Sequence, residues 1–150
     1  MINSITKAEF NSIDPIHRVI VHDHPRRFAC LQLPHASYHL GMSWRSDLIE
    51  PTLAEDQKSS VLWIGVVQRL ACVAQDGGVR FSVALNSPLL QIKIDPEFTV
   101  PLCEAGFSVV NNDASIRHTK ESSEIRDLVD VQDDKVIVSL LDGGSRFYTT

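Results

Sequence analysis

One interval, 37 residues, constrains the fold of this chain more than anything else in it. Gly41-Met42-Ser43-Trp44, Gly78-Val79-Arg80-Phe81 and Ser115-Ile116-Arg117-His118 follow one another at that spacing, since 78 − 41 and 115 − 78 both give 37. A fourth version, Gly144-Ser145-Arg146-Phe147, comes after a shorter interval. Self-similarity at a fixed period of this size means that one supersecondary unit recurs, each copy covering its neighbour's apolar face.

The unit reads as strands. Val61-Leu62-Trp63-Ile64-Gly65 and Leu70-Ala71-Cys72-Val73-Ala74 are short runs rich in apolar residues. Asp76-Gly77-Gly78 then makes a hairpin turn, because glycine supplies the positive φ such turns need. Val79 to Leu85 alternates apolar and polar side chains, so one face is buried and the other wet. Asn86-Ser87-Pro88 breaks the chain, Leu89 to Ile94 makes another strand, and Asp95-Pro96 ends it. One period later Phe98 to Leu102, Phe107 to Val110, the turn Asn111-Asn112-Asp113 and Ile116 take the same places. Lys135 to Ser139 opens a further, shortened round, which Asp142-Gly143-Gly144 turns almost at once.

The period also resolves an ambiguity. Ser123 to Asp130 carries apolar residues at helical spacing after an N-cap serine. The alignment of 125–131 with 88–94 decides for strand. Backward the match is looser: Val19-Ile20-Val21 and Arg27 to Cys30 read as strands of a degenerate copy. Glu55 to Ser60 is polar and reads as a loop. Thr6 and Glu9 have capping-box spacing, which predicts a short helix over Lys7 to Ser12, ended by Asp14-Pro15.

The order Leu62-Trp63-Ile64-Gly65, Leu70 to Val73, Gly77, Phe81 resembles the blade of a β-propeller. It is most similar to the repeat of the pyrroloquinoline-quinone (PQQ) type and its non-enzymatic relatives. The resemblance covers about residues 40 to 147. It implies that Trp44, Phe81, His118 and Phe147 are successive versions of an aromatic anchor, with Trp44, Phe81 and Phe147 in the core and His118 half-exposed. The expected architecture is all-β: antiparallel meander repeats of about 37 residues, propeller-like, small four-bladed or incomplete, with a short N-terminal helix. A β-sandwich of the same hairpins is the alternative. The expected organisation is a single β domain over 1–150. It comprises an N-terminal extension at 1–17, a degenerate first repeat at 18–60, clear repeats at 61–97 and 98–134, and a truncated last repeat at 135–150.

The 150 residues carry a formal net charge of −5, which disfavours nonspecific binding to nucleic acid or anionic membrane. No stretch approaches the roughly 18 apolar residues of a membrane helix, and Met1 to Lys7 lacks the layout of a signal peptide. Cys30, Cys72 and Cys103 are odd in number and lack CxxC spacing, which points to a reducing, cytoplasmic setting. Cys30 and Cys72 lie in apolar runs at matching places and read as small buried side chains.

Five of the six histidines precede Gly41. In an extended segment His22 and His24 point the same way, so both could ligate one divalent metal, with His35 or His39 as a third ligand if 18–22 pairs with 36–44. The competing reading is a polar turn, His22-Asp23-His24-Pro25-Arg26-Arg27. No Gly-x-Ser-x-Gly elbow and no phosphate loop occurs in the sequence. The stretch Glu97 to Asp134 is acidic, with Glu121, Glu124, Asp127, Asp130, Asp133 and Asp134 near its end. Together these features predict a non-enzymatic protein-binding or regulatory module, with a protein partner or self-association, and with His118, Glu121, Glu124, Asp127, Arg26 and Arg27 as binding candidates. The alternative is a small metal-dependent enzyme using the N-terminal histidines.

Overall fold

The computed structural model describes residues 2–132 and 134–149; Met1, Asp133 and Thr150 lie outside it. The chain divides into two compact units, 1–84 and 85–150.

The first unit begins with β1 (Ile2–Ser4) and α1 (Lys7–Ser12). The expected capping box is formed: the Glu9 N–H donates to Thr6 Oγ1 at 3.1 Å and the Thr6 N–H to Glu9 Oε1 at 3.2 Å. Asp14 then caps a 3-10 turn at Pro15–His17. β2 (Arg18–Ile20), β3 (Arg27–Gln32) and β4 (His39–Trp44) complete a sheet in the order β1-β3-β4-β2. Here 18–22 does pair with the segment containing β4, but β2 and β4 run parallel, an exception to the antiparallel meander. The second sheet is a plain meander of β5 (Thr52–Asp56), β6 (Val61–Val66), β7 (Arg69–Ala74) and β8 (Val79–Ala84). Val19, Ile20, Leu31, Met42 and Trp44 of the first sheet pack with Leu62, Ile64, Val66 and Val73 of the second.

The second unit repeats the meander. β9 (Leu89–Ile94), β10 (Phe98–Cys103), β11 (Gly106–Asn111) and β12 (Ile116–Glu121) form its first sheet. Each of these strands starts 37 residues after its counterpart among β5 to β8. β13 (Ile125–Gln132), β14 (Lys135–Leu140) and β15 (Ser145–Thr149) form a three-stranded sheet. Phe98, Val100, Leu102, Phe107 and Val109 pack against Ile125, Leu128, Val136, Val138 and Leu140. The segment from Ile125 is therefore strand, as the period indicates, with Ile125 and Leu128 inward. No helix among the described residues is long and apolar enough to cross a membrane.

One hairpin recurs three times. Asp76, Asp113 and Asp142 accept, through Oδ1, the backbone N–H of the residue two further on, at 2.9, 2.9 and 2.8 Å. Ala74, Asn111 and Leu140 each donate N–H across the turn to the carbonyl of Gly78, Ser115 and Gly144. The residue after each aspartate has positive φ: Gly77 at 91°, Ala114 at 75° and Gly143 at 90°. This is a three-residue loop whose last residue forms a left-handed bulge, a common hairpin closure.

Three expectations are corrected. The segment read as a loop from Glu55 is strand β5 as far as Asp56, paired with β6. Its polar residues lie on an edge strand, where one face meets water. Gly41 and Gly78 are not equivalent despite their spacing. Gly78 follows a turn, whereas Gly41 lies within β4, where a Cβ would come within 3.0 Å of Ile13 and 3.1 Å of Phe10. Phe147 is not core; it is 62% exposed. The reason is one residue of register. After the turn, Arg80 and Arg117 are skipped in the ladder, so Phe81 faces Cys72 and His118 faces Val109. In the last hairpin no residue is skipped. Arg146 takes that place opposite Val138, and Phe147 falls on the opposite face.

Candidate binding surfaces

The histidines of the first unit are spread, not gathered. His22 Nδ1 lies 2.7 Å from the Ser43 carbonyl, which can only accept, so this nitrogen carries the proton. Its Nε2 is buried without a hydrogen-bond partner. His24 is exposed in the turn before β3, at φ 48°. His35 lines a cavity of about 230 Å³ with Leu33, Glu55, Leu62 and Gln75. His39 lines a separate open cleft of about 410 Å³ together with Asp14, Ser37 and His17, whose ring stacks on Tyr38 at 3.6 Å. Among the described residues no group of three or more histidine, cysteine or acidic side chains could hold a metal ion. The pairing of β2 with β4 thus occurs without converging the imidazoles.

The two arginines also separate. Arg26 is exposed, and its backbone N–H donates to the Trp44 carbonyl at 2.9 Å. Arg27 is tied inward. Its guanidinium lies 4.9 Å from the Trp44 ring, and Nη1 donates to Glu50 Oε1 at 2.7 Å and to the Asp47 and Ile49 carbonyls at 3.4 Å. This side chain holds the loop that joins the first two sheets.

In the second unit His118 is half-buried on β12, its ring 6.2 Å from that of Phe107. Asp127 is exposed on β13 and bonded to Arg126 Nε at 3.1 Å. Glu121 and Glu124 flank the β12–β13 turn, exposed and without a salt bridge among the described residues. That turn is anchored on both sides: Ser122 N–H donates to the Ala105 carbonyl at 2.9 Å, and Leu141 N–H donates to the Glu124 carbonyl at 2.8 Å. Three turns of the second unit are thereby laced together. They bring the exposed Glu104 and Asp142 to the same end as Glu121 and Glu124. Sequence reading missed Glu104 and Asp142 because they are remote along the chain; the hairpin period, followed to its turns, would have located them.

The cysteines are buried and free. Burial pushes the Cys72 and Cys103 thiols up to about 11. Cys30 is raised as well, by burial first and by the Glu9 carboxylate second. None is prepared as a nucleophile.

Four sheets, three of sequential antiparallel strands and two of those repeated at one period, define a propeller-like all-β protein. Among solved structures the chain is similar to BamB from Moraxella catarrhalis, a protein of the β-propeller type, with a TM-score of 0.60 over the whole of this chain at 13% identity. The chain spans 48% of BamB, about half its length, and at this identity the likeness is one of fold. No model of a known protein family matches the chain, and neither does any curated protein sequence.

Proposed function

We propose that the chain is a non-enzymatic protein-binding module whose partner presents a basic surface to the laced end of the second unit. One observation carries this reading. Glu121 and Glu124 stand exposed, without a salt bridge among the described residues, on a turn whose backbone is bonded to both neighbouring turns. Rigid placement lowers the entropy lost on binding, and exposed carboxylates favour encounter with a basic partner. The strand–turn–strand unit with Gly77 and Phe81 supports assigning the repeats to the non-enzymatic relatives of the PQQ type. A reducing, cytoplasmic location belongs to the same reading, supported by the free thiols of Cys30, Cys72 and Cys103.

The test is affinity capture from the source cell with the purified chain and with a Glu121→Lys, Glu124→Lys double variant. The reading expects a partner that the native chain retains, that is released by raised salt, and that the double variant loses. Equal retention by both chains, or release insensitive to salt, rejects it.

A further inference from the structure

The cavity of about 230 Å³ in the first unit lies where the β3–β4 loop meets the second sheet. Its floor is Leu33 and Leu62, each 8% exposed and both part of the core of that unit. Its rim is Pro34, His35, Glu55 and Gln75, all exposed.

The strand register puts three of these residues on one face. Glu55 stands directly opposite Leu62 in the β5–β6 ladder, and Leu62 stands opposite Val73 on β7. Gln75 comes two residues after Val73, and its backbone N–H continues the ladder by donating to the Ser60 carbonyl at 3.2 Å. It therefore turns to the same side. Leu62 and Val73 belong to the core, so this is the core-facing side of the sheet. Glu55 is a carboxylate placed on it, without a salt bridge among the described residues. No lysine or arginine among them lines the cavity. A charged residue in the row that should be apolar breaks the pattern of an amphipathic strand, and such breaks belong to functional positions.

The walls are set in advance. The Ala36 N–H donates to the Leu33 carbonyl at 3.3 Å and closes the turn that carries Pro34 and His35. The Tyr38 ring lies so close over the β7–β8 turn that a Cβ on Gly77 would be 2.8 Å from it. The loop with His35 and the strand end with Gln75 are thus held against each other.

We propose that this cavity binds an alkyl-guanidinium group, carried by an arginine side chain of a protein partner or by a free small molecule. The methylene stem lies on Leu33 and Leu62. The planar fork pairs with the Glu55 carboxylate, and the Gln75 side-chain carbonyl accepts a further N–H. The His35 ring offers a face that suits a flat guanidinium better than a compact ammonium. The volume is below the roughly 300 Å³ at which clefts for drug-sized ligands begin, so a single side chain fills it. The site uses none of the acidic residues of the laced end, so failure of one reading leaves the other standing.

Calorimetric titration with n-butylguanidine and with the capped peptide acetyl-Gly-Arg-Gly-amide tests the assignment, and amide NMR shifts locate the contact. The expected result is one probe per chain, with shifts centred on His35, Leu62 and Gln75. Guanidinium chloride lacks the stem and acetyl-norleucine-amide lacks the head, so both should bind at least about ten-fold more weakly. Glu55→Gln should keep the native melting temperature and lose at least about ten-fold in affinity. Glu121→Gln should bind as the native chain does. Tighter binding of the peptide assigns the site to a partner's arginine, and tighter binding of n-butylguanidine assigns it to a small molecule; either order upholds the chemistry. Failure of both probes to bind by about 20 mM overturns the proposal. So does undiminished affinity in Glu55→Gln, or a set of shifts that bypasses the cavity.

Discussion

The side-chain oxygen of Gln91 accepts the backbone N–H of Leu128 at 3.0 Å, and the two residues are 37 positions apart. Equivalent places in successive repeats are therefore in direct contact. β9 and β13 are the first strands of their sheets, and each leaves one edge without a strand partner. The amide of Gln91 reaches across and satisfies a donor that strand pairing leaves over. Gln91→Ala should cost about 1–2 kcal/mol, the penalty for stranding a partly buried N–H. Urea denaturation of the two chains measures it; an unchanged midpoint would show that water replaces the amide without loss.

The three hairpins differ in one respect with an energetic consequence. Ala114 holds the left-handed position that glycine holds as Gly77 and Gly143. A Cβ there is strained, so Ala114→Gly should stabilise the chain by about 0.5–1 kcal/mol despite glycine's larger unfolded-state entropy. Gly143→Ala should destabilise by about 1 kcal/mol through backbone strain alone, since nothing lies within 4 Å of the added Cβ. Gly106→Ala should be far worse, because its Cβ would lie 1.9 Å from the Lys120 carbonyl oxygen. Thermal unfolding of the three variants should rank them in that order.

The sheets were legible in the sequence to the extent that the turn chemistry was regular. From Val61 onward the Asp-centred turns and the period place every strand, including the one at Ile125 that a helical pattern disguises. β5 was missed because Thr52 to Asp56 is an edge strand with polar residues, and such strands carry little apolar signal. The first sheet was only partly legible. Gly41 and Trp44 match the period by spacing, yet Gly41 makes room for Phe10 and Ile13 of the N-terminal helix region. The fate of Phe147 was hidden because a missing bulge has no composition: Arg80, Arg117 and Arg146 are the same residue, and only the ladder shows that the third is not skipped. The histidines gave a motif without geometry, because residues close in sequence were led to different clefts.

Arg27 and Glu50 should behave unequally when truncated. The side chain of Glu50 is 70% exposed and that of Arg27 only 24%. Glu50→Ala removes a solvent-screened pair and should cost no more than about 0.5 kcal/mol. Arg27→Ala also uncovers the Trp44 ring and frees the carbonyls of Asp47 and Ile49. It should cost about 1–2 kcal/mol. Equal losses in chemical denaturation would mean that the ion pair, not the ring contact, holds the loop.

The thiols offer a probe of native burial. With Cys72 and Cys103 at about 11, their thiolate fraction at pH 8 is small. Alkylation by iodoacetamide should be at least about a hundred-fold slower in the folded chain than in guanidinium, where an ordinary thiol pKa returns. Mass spectrometry of quenched samples reads the rate at each cysteine. Fast labelling of Cys72 in the native chain would show that its strand opens readily.

The strand orders also set how the chain comes together in time. In three sheets every strand pairs with its immediate successor, so the contacts are local and the entropy of loop closure is small. The first sheet breaks this rule. Its order β1-β3-β4-β2 sets the first two strands on opposite edges of a hairpin made later in the chain. During synthesis the N-terminal strands must therefore wait for β3 and β4, while each later sheet can form as its strands appear. The first sheet therefore closes longer loops between paired strands than any hairpin does, with Ile2 opposite Leu31 and Arg18 opposite Gly41.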